Sequence, residues 1–215
     1  MSVAAPVPAC ATPGAGVIAW AALGDSFTAG TQPGELTWTA IAARSLSAPR
    51  AKLEVSCFAM AGATCSQVTD LQLEAAIETD PDLVSLICGA NDVIASVRPR
   101  VDAIASALDG LWFALRSALP GRAMLTATYP ALGPRNLGPR TRSRIAGGLR
   151  ELNVAIRATA ARHDLVCVDL EGHPGNGDRA NFAADGLHPS PLGQLVAAST
   201  FAPAIEMLIR EEGQR

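Results

Sequence analysis

Five short apolar runs punctuate the chain: Gly16 to Leu23, Leu53 to Met60, Leu83 to Cys88, Ala123 to Thr128 and Leu165 to Leu170. Their near-continuous hydrophobicity predicts strands covered on both faces, as in parallel sheets. Between them apolar positions recur at helical spacing, over about Leu36 to Leu46, Cys65 to Glu78, Val101 to Leu119 and Arg142 to His163. A last such segment runs from Pro191 to Glu212. Strand and helix alternate throughout, with no internal repeat and no Gly/Ser linker. That order predicts one α/β domain over residues 16–212, a three-layer α/β/α arrangement around an about five-stranded, mainly parallel sheet. Right-handed crossovers then place helices on both faces. Ligands of such sheets sit at the carboxyl ends of the strands, so the residues just after each run are where chemistry is expected.

Composition acts mainly by exclusion. Hydrophobic residues at 49% against 17% charged argue for a packed core rather than disorder. A net charge of -3 supplies no broad field for nucleic acid or an anionic membrane, which leaves a small molecule as the expected partner. No apolar run reads as a membrane span, because each is broken by charge, Gly or Pro. Residues 1–15 are expected to form a flexible tail. They hold no Lys or Arg and no continuous apolar segment, so they lack the parts of a secretory signal, and Val7-Pro8-Ala9-Cys10 lacks the lead-in of a lipoprotein cleavage site. Five cysteines with no CxxC pair are expected to be buried small hydrophobes in a cytoplasmic protein, and no metal or other cofactor is expected. Nothing in the sequence sets the oligomeric state.

The first predicted strand is followed by Gly24-Asp25-Ser26-Phe27-Thr28, which places a hydroxyl where the strand ends. After the second comes Ala61-Gly62-Ala63-Thr64, whose glycine lets a backbone N–H approach a ligand. The third is followed by Gly89-Ala90-Asn91-Asp92, with a side-chain amide able to donate. Taken singly, each reads equally well as a turn or a helix cap. Before the last predicted helix stands Asp185-Gly186-Leu187-His188-Pro189, an acid and an imidazole three residues apart. A carboxylate that accepts from one ring nitrogen fixes the tautomer and leaves the other nitrogen free to take a serine proton.

In this order the four blocks resemble those of the GDSL, or SGNH, hydrolase family over about Val17 to Ile209. The resemblance implies a flavodoxin-like SGNH hydrolase fold and a serine esterase or acyl hydrolase working through an acyl-Ser26 intermediate. It implies Ser26 as nucleophile, His188 as base and Asp185 as its orienter, with the Ser26 N–H, the Gly62 N–H and the Asn91 side chain as oxyanion donors. The substrate implied is a small-molecule ester or acyl donor, with small or short-chain acyl groups expected from the low aromatic content. There are two departures: Phe27 stands where the usual block has Leu, and Cys57-Phe58 stand where an Asn often precedes the glycine and braces its loop. The G-x-S-x-G elbow of α/β-hydrolases is absent around Ser26.

Other side chains compete for roles. His163 is expected to cap a helix end, and His173, in Glu171-Gly172-His173-Pro174, to line the mouth of the site or face solvent. Arg135 and Arg140, in the arginine-rich stretch after the fourth run, either face solvent or receive an anionic substrate group. Trp38, Trp112 and Phe113 are expected to pack in the core. Two further readings stay open: an acyltransferase that passes the acyl group to an alcohol or amine, and a binding domain that keeps the fold without activity.

Overall fold

Strands β1 (Val17–Gly24), β2 (Lys52–Cys57), β3 (Leu83–Ile87), β4 (Ala123–Ala127) and β5 (Val166–Val168) form one sheet in the order β2-β1-β3-β4-β5, every pair parallel. This is the doubly wound order with its topological switch between β1 and β3, where ligands collect beyond the strand ends. The structure, a computed structural model, describes residues 16–47 and 52–212. The expected tail at 1–15, with Cys10, lies outside the described residues.

Eight α-helices lie among the described residues: α1 (Ser26–Ala29), α2 (Trp38–Leu46), α3 (Cys65–Leu71), α4 (Leu73–Glu78), α5 (Ala90–Ala95), α6 (Val101–Ala118), α7 (Pro139–Arg162) and α8 (Pro191–Glu212). Helices α1 and α5, absent from the elements the sequence predicts, are too brief for hydrophobic periodicity to reveal. The single helix expected from Cys65 to Glu78 is broken at Gln72, whose buried side chain turns inward to the end of β1. Helix α7 begins at Pro139 rather than Arg142, with proline in the first turn, where its missing N–H and fixed φ suit a helix start.

The central strands β3 and β4 are buried along their whole length, as the continuous apolar runs require. Beneath the first strand end lies an aromatic cluster in which Trp38 stacks on Phe201 at 4.0 Å and Phe27 packs beside both. Trp38 and Trp112 are core residues, whereas Phe113 is 67% exposed, one position off the buried stripe of α6 formed by Leu108, Leu111, Trp112 and Leu115. Cys65 and Cys88 are buried, but Cys57 is exposed at the end of the edge strand β2. His163 ends α7 and its Nε2 lies 2.8 Å from Asp109 of α6, tying the two helices together. Helix α8 runs against one expectation: Pro191–Arg210 is long and apolar enough to cross a membrane by length and composition, with a mean hydropathy of 1.4. Its inner face, including Ala197, Phe201 and Ile205, packs into this core against α2, β4 and β5.

Candidate active site

Gly24 closes β1 at φ +133, with its Cα against β3, so that a Cβ there would stand 2.1 Å from the Ile87 carbonyl oxygen. The tight approach turns the chain into α1. Asp25 caps that helix, its Oδ1 accepting from the Phe27 N–H at 2.9 Å, so Ser26 occupies the first helical position. The N–H groups of a helical first turn have no intrahelical acceptor, so the Ser26 N–H is a donor that α1 itself does not use.

The base arrives from the opposite side. Between β5 and α8 the chain makes two 3₁₀ turns, Pro174–Gly177 and Arg179–Asn181, and then doubles back. Phe182 pairs with Pro189, the Ala183 N–H donates to the His188 carbonyl at 2.8 Å, and the Ser190 N–H donates to the Asn181 carbonyl at 3.0 Å. This cinch holds Asp185 and His188 at its tip. The His188 Nε2 lies 2.9 Å from the Ser26 Oγ, and its Nδ1 lies 2.6 Å from the Asp185 Oδ2. The Asp185 Oδ1 accepts from the Leu187 and His188 N–H groups at 2.9 and 3.1 Å. Burial pushes this carboxyl up, but the bonds from the His188 ring and the two backbone N–H groups outweigh it and hold Asp185 below its ordinary value. An ionised Asp185 only accepts, so the ring proton sits on Nδ1 and Nε2 faces the serine hydroxyl as an acceptor.

Ser26, Asn91, His173 and His188 line one cavity of about 240 Å³ whose walls are otherwise largely apolar, with Phe27, Ile94, Leu132, Leu149, Leu170, Phe182 and Val196 among them. The cavity reaches Leu149 and Ala197, which are themselves core residues. Asn91 donates one amide N–H to the Ala63 carbonyl at 3.0 Å, and the Cys65 N–H donates to Asp92 at 3.1 Å. These bonds brace the loop of Gly62 from the third block, in place of the absent asparagine. Gly62 itself stands exposed on that loop at φ +81, outside the cavity lining.

The remaining candidates separate. His173 lines the cavity while its Nδ1 accepts from the Gly175 N–H at 3.0 Å, so it also caps a 3₁₀ turn. Arg135 lies outside the lining, its guanidinium 5.9 Å from the ring centre of Phe182 and its stem against Gly186. Arg140 is exposed on the first turn of α7. Among the described residues no group of three or more His, Cys, Asp or Glu side chains is placed to hold a metal. Sequence reasoning passed over Asp25, only 2% exposed beside Ser26, and Tyr129, two residues beyond β4, whose hydroxyl donates to Asp25. The one available signal was position, since both stand at strand ends.

A family model for GDSL-like lipases and acylhydrolases matches residues 22–196. No curated protein matches the sequence. Among solved structures, the extracellular lipase from Streptomyces rimosus is 20% identical, with a TM-score of 0.71 over 89% of this chain and 99% of that one. The lipase/acylhydrolase from Enterococcus faecalis is 22% identical, with a TM-score of 0.72 over 88% and 95%. The acetyl xylan esterase AlAXEase is 20% identical, with a TM-score of 0.67 over 87% and 100%. At these identities the structures speak for the fold, and with the family match over most of its length the chain belongs to the GDSL-like lipase/acylhydrolase family.

Proposed function

We propose that the chain is a serine esterase that cleaves a small or short-chain carboxylic ester through an acyl-Ser26 intermediate. The observation that carries this reading is the run of hydrogen bonds Ser26–His188–Asp185 opening onto a largely apolar cavity. The Ser26 Oγ attacks the acyl carbon as its proton passes to the His188 Nε2, and Asp185 stabilises the imidazolium that results. Negative charge gathers on the carbonyl oxygen. The Ser26 N–H, the second amide N–H of Asn91 and the Gly62 N–H, on the loop Asn91 braces, are the donors assigned to it. The alcohol then leaves with the proton from His188, and water, activated the same way, releases the acid. The apolar walls receive the acyl group, and no step calls for a cofactor.

The test is labelling with a fluorophosphonate probe followed by peptide mapping. Label is expected on Ser26 alone and is lost in Ser26→Ala and His188→Ala, with kcat for a short ester falling by roughly 10⁴-fold or more in either variant. Asn91→Ala is expected to lower kcat by about 10²-fold with KM little changed. Product formed only when an alcohol or amine acceptor is supplied would assign acyl transfer instead. A folded chain that takes no label would assign a binding domain.

A further inference from the structure

Two buried amides frame the nucleophile. Gln72, 1% exposed in the break between α3 and α4, accepts from the Gly24 N–H and donates to the Gly24 carbonyl, both at 2.9 Å. Asn153 of α7, fully buried, clamps Tyr129 in the same way, with both bonds at 2.8 Å. The two clamped segments are joined at one point, where the Tyr129 hydroxyl donates to the Asp25 Oδ2 at 2.8 Å. An N-cap needs one oxygen, which Asp25 supplies to Phe27 from Oδ1, and a serine or threonine would do that without burying a carboxyl. Capping therefore does not account for an acid here.

The groups that face Asp25 come from four elements: Tyr129 beyond β4, His188 before α8, Asp92 on α5 and Cys88 beyond β3. Of these only His188 can become a cation. We propose that Tyr129 is a positioning residue that holds Asp25 as a carboxylate beside Ser26, and that the charge on Asp25 stabilises the imidazolium formed when His188 takes the serine proton. The inference rests on the Ser26–His188 reading given above. No bond breaks at the pair. Tyr129 keeps its proton, since burial and the neighbouring charge of Asp25 push its hydroxyl well above its ordinary value.

The pair should leave a mark on the pH profile. Burial raises Asp25 from 3.8 to about 6, against the pull of the Phe27 N–H, the Tyr129 hydroxyl and His188. Tyr129→Phe keeps the ring and removes one group that favours the charged form, so Asp25 must titrate higher still and its ionised fraction near neutrality falls. The acidic limb of kcat that follows the ionisation of Asp25 is expected to move up by about one pH unit. At pH 6.5 kcat for a short ester then falls about threefold, returning to within about twofold of wild type at pH 9, with KM changed less than about twofold. Asp25→Asn has no ionised form to recover, so its loss of on the order of tenfold persists at both pH values.

Carbon-13 NMR of the Asp25 carboxyl, assigned by difference against Asp25→Asn, reads the same titration without turnover. A midpoint near 6 in wild type and higher in Tyr129→Phe is expected. Profiles that run parallel to wild type, or an unmoved NMR midpoint, would overturn this proposal alone. A wild-type chain that the fluorophosphonate does not label would overturn the esterase reading and the proposal with it.

Discussion

Ser26 is delivered by the end of a central strand, whereas His188 is delivered by the tip of the doubled-back segment between β5 and α8. The strand end is held from a distance in sequence: the Asp25 N–H donates to the Ile87 carbonyl, Gln72 clamps Gly24, and Tyr129 reaches Asp25 from β4. Apart from the Arg135 N–H, which donates to the Asp185 carbonyl, the backbone bonds that shape the tip are local, among Asn181, Phe182, Ala183, Asp185, Leu187, His188 and Ser190, and its side chains are half-buried. The nucleophile therefore shares its fate with the core, while the base sits on structure that can shift by an ångström without unfolding the sheet. Damage to one side should register first as stability, and damage to the other first as rate.

Two glycines put that difference to the test. At Gly24 the backbone has φ +133 and an added Cβ would meet a carbonyl oxygen fixed in β3 at 2.1 Å. Gly24→Ala combines strained backbone with a clash that only separation of β1 from β3 relieves. It should destabilise the fold by about 3–5 kcal/mol in denaturant titration. Gly193, at the start of α8, has an equally close approach, 2.0 Å to the Asn181 carbonyl, but that carbonyl lies on the 3₁₀ segment leading to the tip. Gly193→Ala should therefore move the segment. A stability loss of only about 1 kcal/mol is expected together with a drop in kcat of about 10²-fold, since a displacement near 1 Å suffices for that. Equal stability losses in the two variants would erase the distinction between the sides.

The same division explains what the sequence made legible. The five strands, the long helices α6 and α8 and the Ser26, Asp185 and His188 constellation could be read because periodicity and short-range spacing encode them directly. Asp185 and His188 reach each other within one turn of chain, and Ser26 follows a run whose end is visible. Gln72, Asn153 and the Tyr129–Asp25 bond could not be read. Gln72 meets Gly24 across 48 positions and Tyr129 meets Asp25 across 104, and nothing local distinguishes a buried amide from an exposed one. Helix α8 is legible at its true position, although by length and composition alone its apolar stretch would also fit a membrane span, and only the burial of its inner face places it in the core. Phe113 was misplaced by a single position, about 100° around α6, which is enough to turn a core aromatic into an exposed one.

The smallest expected effect concerns Arg135, which belongs to the side of the base. Its N–H donates to the Asp185 carbonyl, its stem packs on Gly186 and its guanidinium lies over Phe182, a wall of the cavity. Two roles are consistent with that position: a prop for the tip that carries His188, or a cation at the rim for a carboxylate or phosphate on the substrate. Arg135→Ala separates them, because the backbone bond to Asp185 survives the substitution while the stem and the charge do not. A prop would lower kcat for neutral and anionic esters alike. A rim cation would leave neutral esters unchanged and raise KM for an anionic ester by about two- to fivefold, the worth of one solvent-screened charge pair, with the difference fading as salt is added. The second result is expected, and Arg140→Ala, out on the exposed first turn of α7, should change neither constant.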